Sequence, residues 1–157
     1  QGSDVHRLVE GRALILGGVE IPFGRGLEGH SDGDALLHAV ASALLGALGD
    51  GDLGRHFPSS DPKLAGIAST AILARVAERM RERGFRLANL DATIVAQAPR
   101  LAPHLDKMRA VIADVLGVDA DRVNVKVTST DELGAIGRGE GIAAQAVALL
   151  VEADARG

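Results

Sequence analysis

Apolar residues recur along this chain with two different periods, and the switches between them divide it into elements. On either side of Gly17-Gly18, Ala13-Leu14-Ile15-Leu16 and Val19-Glu20-Ile21 read as two short strands joined by a tight turn. From Gly33 to Leu48 the run GDALLHAVASALLGAL sets Leu37, Val40, Leu44 and Leu48 at helical spacing, which predicts a helix with Ser31 or Asp32 as its cap. A loop rich in Gly, Pro, Ser and Asp follows, and then Ile72, Val76 and Met80 mark one face of a second helix that stops at Gly84. Its charged face, Arg75, Glu78, Arg79, Arg81, Glu82 and Arg83, is expected to meet solvent.

Leu90 to Ala96 is short and partly β-branched, the mark of a strand, and runs into Gln97-Ala98-Pro99-Arg100. Pro103 opens a third helix with the apolar stripe Leu105, Met108, Ile112 and Val115, and Gly117 ends it. Val123, Val125 and Val127 alternate with polar neighbours, as in a strand with one buried face. Gly141 to Ala153 is almost wholly apolar, and its periodicity does not separate helix from buried strand. No internal repeat or linker interrupts the order, so residues 1–157 read as one α/β sandwich with helices covering a sheet.

Composition narrows the function. The 157 residues are 46% apolar and 2% aromatic, with 17 Lys plus Arg against 21 Asp plus Glu for a formal charge of -4. That balance, without any Lys/Arg-dense stretch, argues against a sequence-independent grip on nucleic acid, and three Phe without Tyr or Trp make a poor stacking platform. No apolar run approaches the ~20 residues of a membrane helix, and Gln1-Gly2-Ser3-Asp4 does not resemble a signal peptide, so the expectation is a soluble, cytoplasmic protein. Without Cys, any zinc must be held by imidazole and carboxylate, which directs attention to the five histidines.

Asp4-Val5-His6 would aim a carboxylate and an imidazole the same way from an extended segment, and His38, beside the apolar stripe of the first helix, is a candidate third ligand. Three such ligands would leave a fourth zinc position open, as in catalytic sites; an Asp-X-His pair is also an ordinary surface feature. Gly29-His30-Ser31-Asp32-Gly33-Asp34 lies where the first helix begins, so its free N–H groups offer an anion site, or simply a capped helix start. Thr128-Ser129-Thr130-Asp131 follows a strand and could hold phosphate oxygens and a hard cation, or form a plain Ser/Thr turn. Gly137-Arg138-Gly139-Glu140-Gly141 suggests a backbone squeezed against something, or a bend.

The segments DVH, GHSDGDALLHAV with LLGALGDGDLG, FPSSDP, AQAPRL and NVKVTSTDELGAIGRGEGIAAQAVALL together resemble the 2-C-methyl-D-erythritol 2,4-cyclodiphosphate synthases, in order over essentially the whole chain. The resemblance implies a single-domain α/β (α+β) fold with a mixed β-sheet, the last segment being a strand. It also implies a homotrimer around a threefold axis, with active sites between subunits. The implied reaction is intramolecular phosphoryl transfer: the 2-phosphate of 4-diphosphocytidyl-2-C-methyl-D-erythritol 2-phosphate attacks the β-phosphorus and expels CMP. Asp4, His6 and His38 fall on the zinc ligands, and His30 and Ser31 on the loop over the phosphates. His30 and Ser129 fall on residues assigned to transition-state stabilisation, and Asp131, among Thr128, Ser129 and Thr130, on the ligand of a second cation, Mg2+ or Mn2+. Ala96, Gln97, Ala98, Pro99, Arg100, Leu101 and Ala102 match the loop that cups the cytosine. Asp52, Leu53 and Gly54 match ribose and substrate contacts, and Phe57, Ser59 and Asp61 the wall of the methylerythritol pocket. Ala135 and Arg138 match further substrate contacts, and Arg138 with Glu140 a charged pair near a central cavity that holds an isoprenoid diphosphate in some members.

Several positions depart from the family pattern. Ser42 stands where Asp is usual, Ser59 where Asp often contacts a hydroxyl, Ser129 where Thr is usual, Asp131 where Glu is usual, Ala135 where Phe is common, and Ser3 where an aromatic residue is common. The chain also begins later than the family's first strand, which suggests residues upstream of Gln1. A zinc phosphohydrolase and a non-catalytic module that binds nucleotide or isoprenoid phosphate are the rival readings.

Overall fold

The structure, a computed structural model, describes residues 1–153; the last residues of the expected 1–157 domain lie outside them. Its strands are β1 (Gly2–Glu10), β2 (Leu14–Leu16), β3 (Val19–Ile21), β4 (Arg25–Leu27), β5 (Phe85–Val95), β6 (Val123–Thr128) and β7 (Gly141–Glu152). Its helices are α1 (Ala35–Ala47), α2 (Leu53–His56), α3 (Ser69–Glu82), α4 (Leu105–Leu116) and α5 (Gly134–Gly137). Five strands form one sheet in the order β4-β1-β7-β5-β6, in which only β5 and β6 run parallel, and β2-β3 make a separate hairpin. This is the mixed-sheet α+β architecture expected. Among the described residues no helix is long and apolar enough to cross a membrane.

The hairpin turns at Gly17-Gly18, with φ of 59° and 71°, a conformation that costs glycine least. Helix α1 is apolar all round and therefore central: Leu36, Leu37, Leu44 and Leu45 are fully buried, each such side chain being worth about 1.5–3 kcal/mol. It lies across β1, β7 and β5 and covers one face of the sheet. Ile142, Ala144 and Ala146 of β7 point under the helices, while Val147 and Leu149 on the other face are 59% and 58% exposed. That two-sided apolarity is why the last segment shows no clear period.

Several boundaries differ from those the pattern predicts. The cap of α1 is Asp34, whose carboxylate accepts from Leu37 N, and neither Ser31 nor Asp32 plays that part. Ser31 Oγ instead meets Gly33 N and His38 Nε2, and the Asp32 carboxylate reaches across to Ser69 N at the start of α3. Strand β5 begins at Phe85 rather than Leu90, because Phe85, Arg86 and Leu87 pair with Glu152, Val151 and Leu150, partners remote in sequence. Pro103 lies in a short 3-10 turn, Ala102–His104, and the α-helix proper starts at Leu105. Strand β4 and the single-turn helices α2 and α5 are too short to leave a periodic signal.

Candidate functional site

Antiparallel pairing with β7 sets Asp4 opposite Ala144 and His6 opposite Ile142. Both partners are buried beneath the helices, so Asp4 and His6 share the covered face of β1. The second turn of α1 brings His38 to the same point. Asp4 Oδ2 lies 2.7 Å from His6 Nε2 and 2.9 Å from His38 Nδ1, and the two nitrogens are 3.2 Å apart. The three residues offer ligand atoms that all lie within 4.8 Å of one another.

The geometry of His6 selects its tautomer. Its Nδ1 is 2.6 Å from the Glu28 carbonyl. A carbonyl only accepts, so Nδ1 carries the proton, and in the neutral ring Nε2 keeps its lone pair toward Asp4 and His38. A lone-pair nitrogen, a carboxylate oxygen and a second imidazole nitrogen this close repel one another unless a proton or a cation sits among them. For Asp4, burial alone would raise its pKa, but the hydrogen bonds the two imidazoles, His38 and His6, give when protonated at these nitrogens outweigh it and hold the carboxyl down at about 2. His6 is raised, first by its bond to Asp4 and against burial, with help from the Glu28 carbonyl. The donor set, two imidazoles and one carboxylate without sulfur, suits a divalent ion of intermediate softness and leaves further coordination positions open.

These residues form the floor of a cleft of about 250 Å³ lined also by His30, Ser31, Leu53, Gly54, Phe57 and Ser59, with Leu64, Ile67 and Ile72 behind. Its two walls are loops held by bonds to residues distant in the sequence as well as by local caps. Arg12 donates to the carbonyls of Gly29 and Ser31, fixing the His30 loop, and His30 Nε2 reaches the Asp61 carbonyl at 3.3 Å. Asp52 and Asp61 stand beside the cleft with their carboxylates capping α2 and the following 3-10 turn, through Arg55 N and Lys63 N. Asp50 receives Arg79, Arg83 and His56, which ties the loop before α2 to α3. Neither Arg12 nor Asp50 stands out in the sequence, because each acts through partners that only the fold supplies.

The remaining candidates gather elsewhere. Ala96 to Ala102 and Thr128 to Asp131 leave the adjacent ends of the parallel pair β5 and β6, joined by Ala96 N to Thr128 O at 3.0 Å and Glu132 N to Gln97 Oε1 at 3.1 Å. Ser129 Oγ is 3.2 Å from Asp131 N and 3.4 Å from its carboxylate. Asp131 and Glu132 both adopt left-handed backbone, φ 50° and 65°, which turns the chain sharply after Thr130. None of 96–102 or 128–131 lines the cleft above Asp4, His6 and His38. Ala135 borders a separate hollow with Val5, Arg7 and Ile136, and Arg138 pairs with Glu140 at 2.6 Å. The candidates thus fall into separate groups on the chain, one at the Asp4–His6–His38 cleft and one at the β5 and β6 ends.

A family model described as the YgbB family matches residues 1–151. The 2-C-methyl-D-erythritol 2,4-cyclodiphosphate synthase of Thiobacillus denitrificans is 62% identical over 149 residues, 95% of this chain and 93% of that protein. The structure of bifunctional IspDF from Campylobacter jejuni aligns over 97% of this chain with a TM-score of 0.91 and 41% identity, and this chain spans 41% of that longer one. A 2C-methyl-D-erythritol-2,4-cyclodiphosphate synthase in a CDP-bound form aligns with a TM-score of 0.88 and 35% identity, over 96% of this chain and 97% of its own. The chain belongs to the YgbB family, that of the 2-C-methyl-D-erythritol 2,4-cyclodiphosphate synthases.

Proposed function

We propose that the protein is a cytoplasmic lyase of non-mevalonate isoprenoid biosynthesis that converts 4-diphosphocytidyl-2-C-methyl-D-erythritol 2-phosphate to the cyclic diphosphate and CMP. The observation that carries this reading is the convergence of Asp4, His6 and His38 at the floor of a cleft walled by His30 and Ser31, in a chain of this family. An oxygen of the 2-phosphate forms a bond to the β-phosphorus. The bond from that phosphorus to the oxygen it shares with the α-phosphorus breaks, and CMP leaves with the oxygen.

An anionic nucleophile must be folded onto an anionic electrophile, so positioning and charge compensation carry the rate. Asp4, His6 and His38 would hold one zinc per subunit and Asp131 a magnesium or manganese, together supplying positive charge and Lewis acidity to the diphosphate. His30 and Ser129 act on the transferring phosphoryl group, and Ser31 orients it. The 52–61 segment, through Asp52, Leu53, Gly54, Phe57, Ser59 and Asp61, shapes the methylerythritol pocket. Residues 96–102 take the cytosine, and Thr128, Thr130, Ala135 and Arg138 complete the phosphate end. CDP in the solved relative fits this assignment.

The protein is proposed to act as a homotrimer in which the cleft of one subunit meets the 96–102 and 128–131 loops of the next. The open sheet face supports this: Val5, Val147 and Leu149 are 62%, 59% and 58% exposed, and apolar side chains on one uncovered sheet face favour association. Incubation with the cytidine substrate followed by phosphorus NMR tests the function. CMP with a cyclic diphosphate is expected; release of inorganic phosphate would identify a hydrolase instead, and binding without turnover a non-catalytic module.

A further inference from the structure

We propose that Asp32 and Ser69 are positioning residues for His38, drawing its imidazole proton to Nε2 so that Nδ1 is free to ligate a metal. The inference rests on the reading of Asp4, His6 and His38 as a metal site, and it concerns two residues, one on a loop and one at a helix start, that the ligand set does not include. Ser69 is the first residue of α3 and is 0% exposed. Its N–H donates to Asp32 Oδ2 at 3.0 Å and its hydroxyl donates to Asp32 Oδ1 through a short contact. Asp34 N also donates to Oδ1 at 3.2 Å, so the Asp32 carboxylate acts as acceptor on every side. With its hydrogen committed to Asp32, Ser69 Oγ has only lone pairs left for His38 Nε2, 2.9 Å away. That contact is a hydrogen bond only if Nε2 carries the proton.

The arrangement matters because another carboxylate pulls the other way. Asp4 Oδ2 is 2.9 Å from His38 Nδ1 and would attract the same proton there, giving the tautomer that cannot bind a metal through Nδ1. The two carboxylates compete for one imidazole proton, Asp4 directly and Asp32 through Ser69. Ser31 Oγ, 3.1 Å from Nε2, does not decide the contest, since it accepts from Gly33 N and its own hydrogen can turn toward or away from the ring. Partners of this kind fix ring orientation and ligand basicity in metal sites, and their loss weakens metal binding about 10- to 100-fold. Asp32 has a second duty: Ala68, ahead of α3, offers no side-chain cap, and the Asp32 carboxylate takes its place at the helix N-terminus. A test must therefore separate tautomer control from capping.

Ser69→Ala keeps the backbone bond to Asp32 and removes only the hydroxyl. Zinc competition against a chelator in the full chain should show affinity about 10- to 100-fold below wild type. In the zinc-free protein, nitrogen NMR of His38 at about pH 8.5, above the ordinary imidazole pKa, should show a smaller Nε2–H fraction. Asp32→Asn should lower that fraction further. Its amide must meet a donor at either oxygen position, and only the Ser69 hydroxyl can turn round, which points its hydrogen at Nε2. Wild-type zinc affinity and an unchanged His38 tautomer in Ser69→Ala, even with a lower Tm, would overturn the proposal and leave the pair a helix cap. Failure of the wild type to bind zinc would refute the metal site itself, while the zinc-free tautomer would still decide the hydrogen-bond chain: an unchanged Nε2–H fraction overturns it, a reduced one supports it.

Discussion

Replacing Asp34 by Asn should change how the stability of this protein responds to pH. Asp34 is 0% exposed. One oxygen accepts from Gly17 N and Leu37 N, each at 3.0 Å, and the other from Gly18 N at 2.7 Å, so a single carboxylate fastens the β2–β3 turn to the start of α1, one turn before His38. Burial pushes its carboxyl from 3.8 up to about 6, against the pull of those three N–H groups. The native protein thus keeps a proton that the unfolded chain has released between 3.8 and about 6. Stability from this group is complete below 3.8 and is lost as pH rises through about 6. A rise of about 2 pH units at about 1.36 kcal/mol each is about 3 kcal/mol, large beside a total of about 5–15 kcal/mol. The Asp34→Asn protein has no such proton. Its amide fits best with the NH2 in place of Oδ2, facing Gly18 N–H alone, which costs about 1–3 kcal/mol at every pH. Urea unfolding of both zinc-free proteins across the pH range isolates the effect, since all other titrations are common and cancel in the difference. The stability of wild type minus variant should fall by about 3 kcal/mol between pH below 3.8 and pH above 6. A flat or rising difference would refute the reasoning and show that the N–H groups outweigh burial.

His38→Ala should lose zinc and turnover together while retaining the fold, because two ligands rarely hold zinc against competition; a full complement of zinc by elemental analysis would remove His38 from the site. Asp131→Asn should lower turnover at least tenfold, a loss of about 1.4 kcal/mol or more in transition-state stabilisation, with zinc content unchanged. If both proteins respond identically to a magnesium titration, Asp131 is not the ligand and neighbouring Glu132 becomes the candidate. Val5→Asp, a charge on the uncovered sheet face, should shift the proposed trimer to monomer and abolish activity with little change in the monomer's own stability. Sedimentation showing an active monomer, in variant or wild type, would end the shared-site model.

Features built from neighbours in sequence are legible in the residue pattern alone. The α1 and α3 periodicities, the Gly17-Gly18 turn and the left-handed Gly117 at the end of α4 depend on local sterics and on which face must be buried, and each lies where the pattern puts it. Asp4 and His6 are legible as a pair for the same reason, since alternation along a strand is a property of the backbone. The last strand is not, because β7 is apolar on both faces, and the resemblance to a known family resolves it.

What the sequence by itself determined, then, is most of the longer elements and the side chains they carry: two histidines and a carboxylate without cysteine, a His- and Ser-bearing loop at a helix start, and a second hydroxyl-rich turn. What only the tertiary structure decided is who meets whom. Which of Ser31, Asp32 and Asp34 caps α1 depended on the Gly17 and Gly18 N–H groups, which arrive from another hairpin. The convergence of His38 on Asp4 and His6 required β1 to pair with β7 under α1, and the bond between His38 and Ser69 joins residues 31 apart. The separation of the Asp4–His6–His38 cleft from the Ser129–Asp131 turn was likewise invisible. The physical reason is the same in each case: local conformation answers to short-range sterics and burial pattern, whereas a hydrogen-bond partner or shared ligand is chosen by long-range packing that no spacing along the chain encodes.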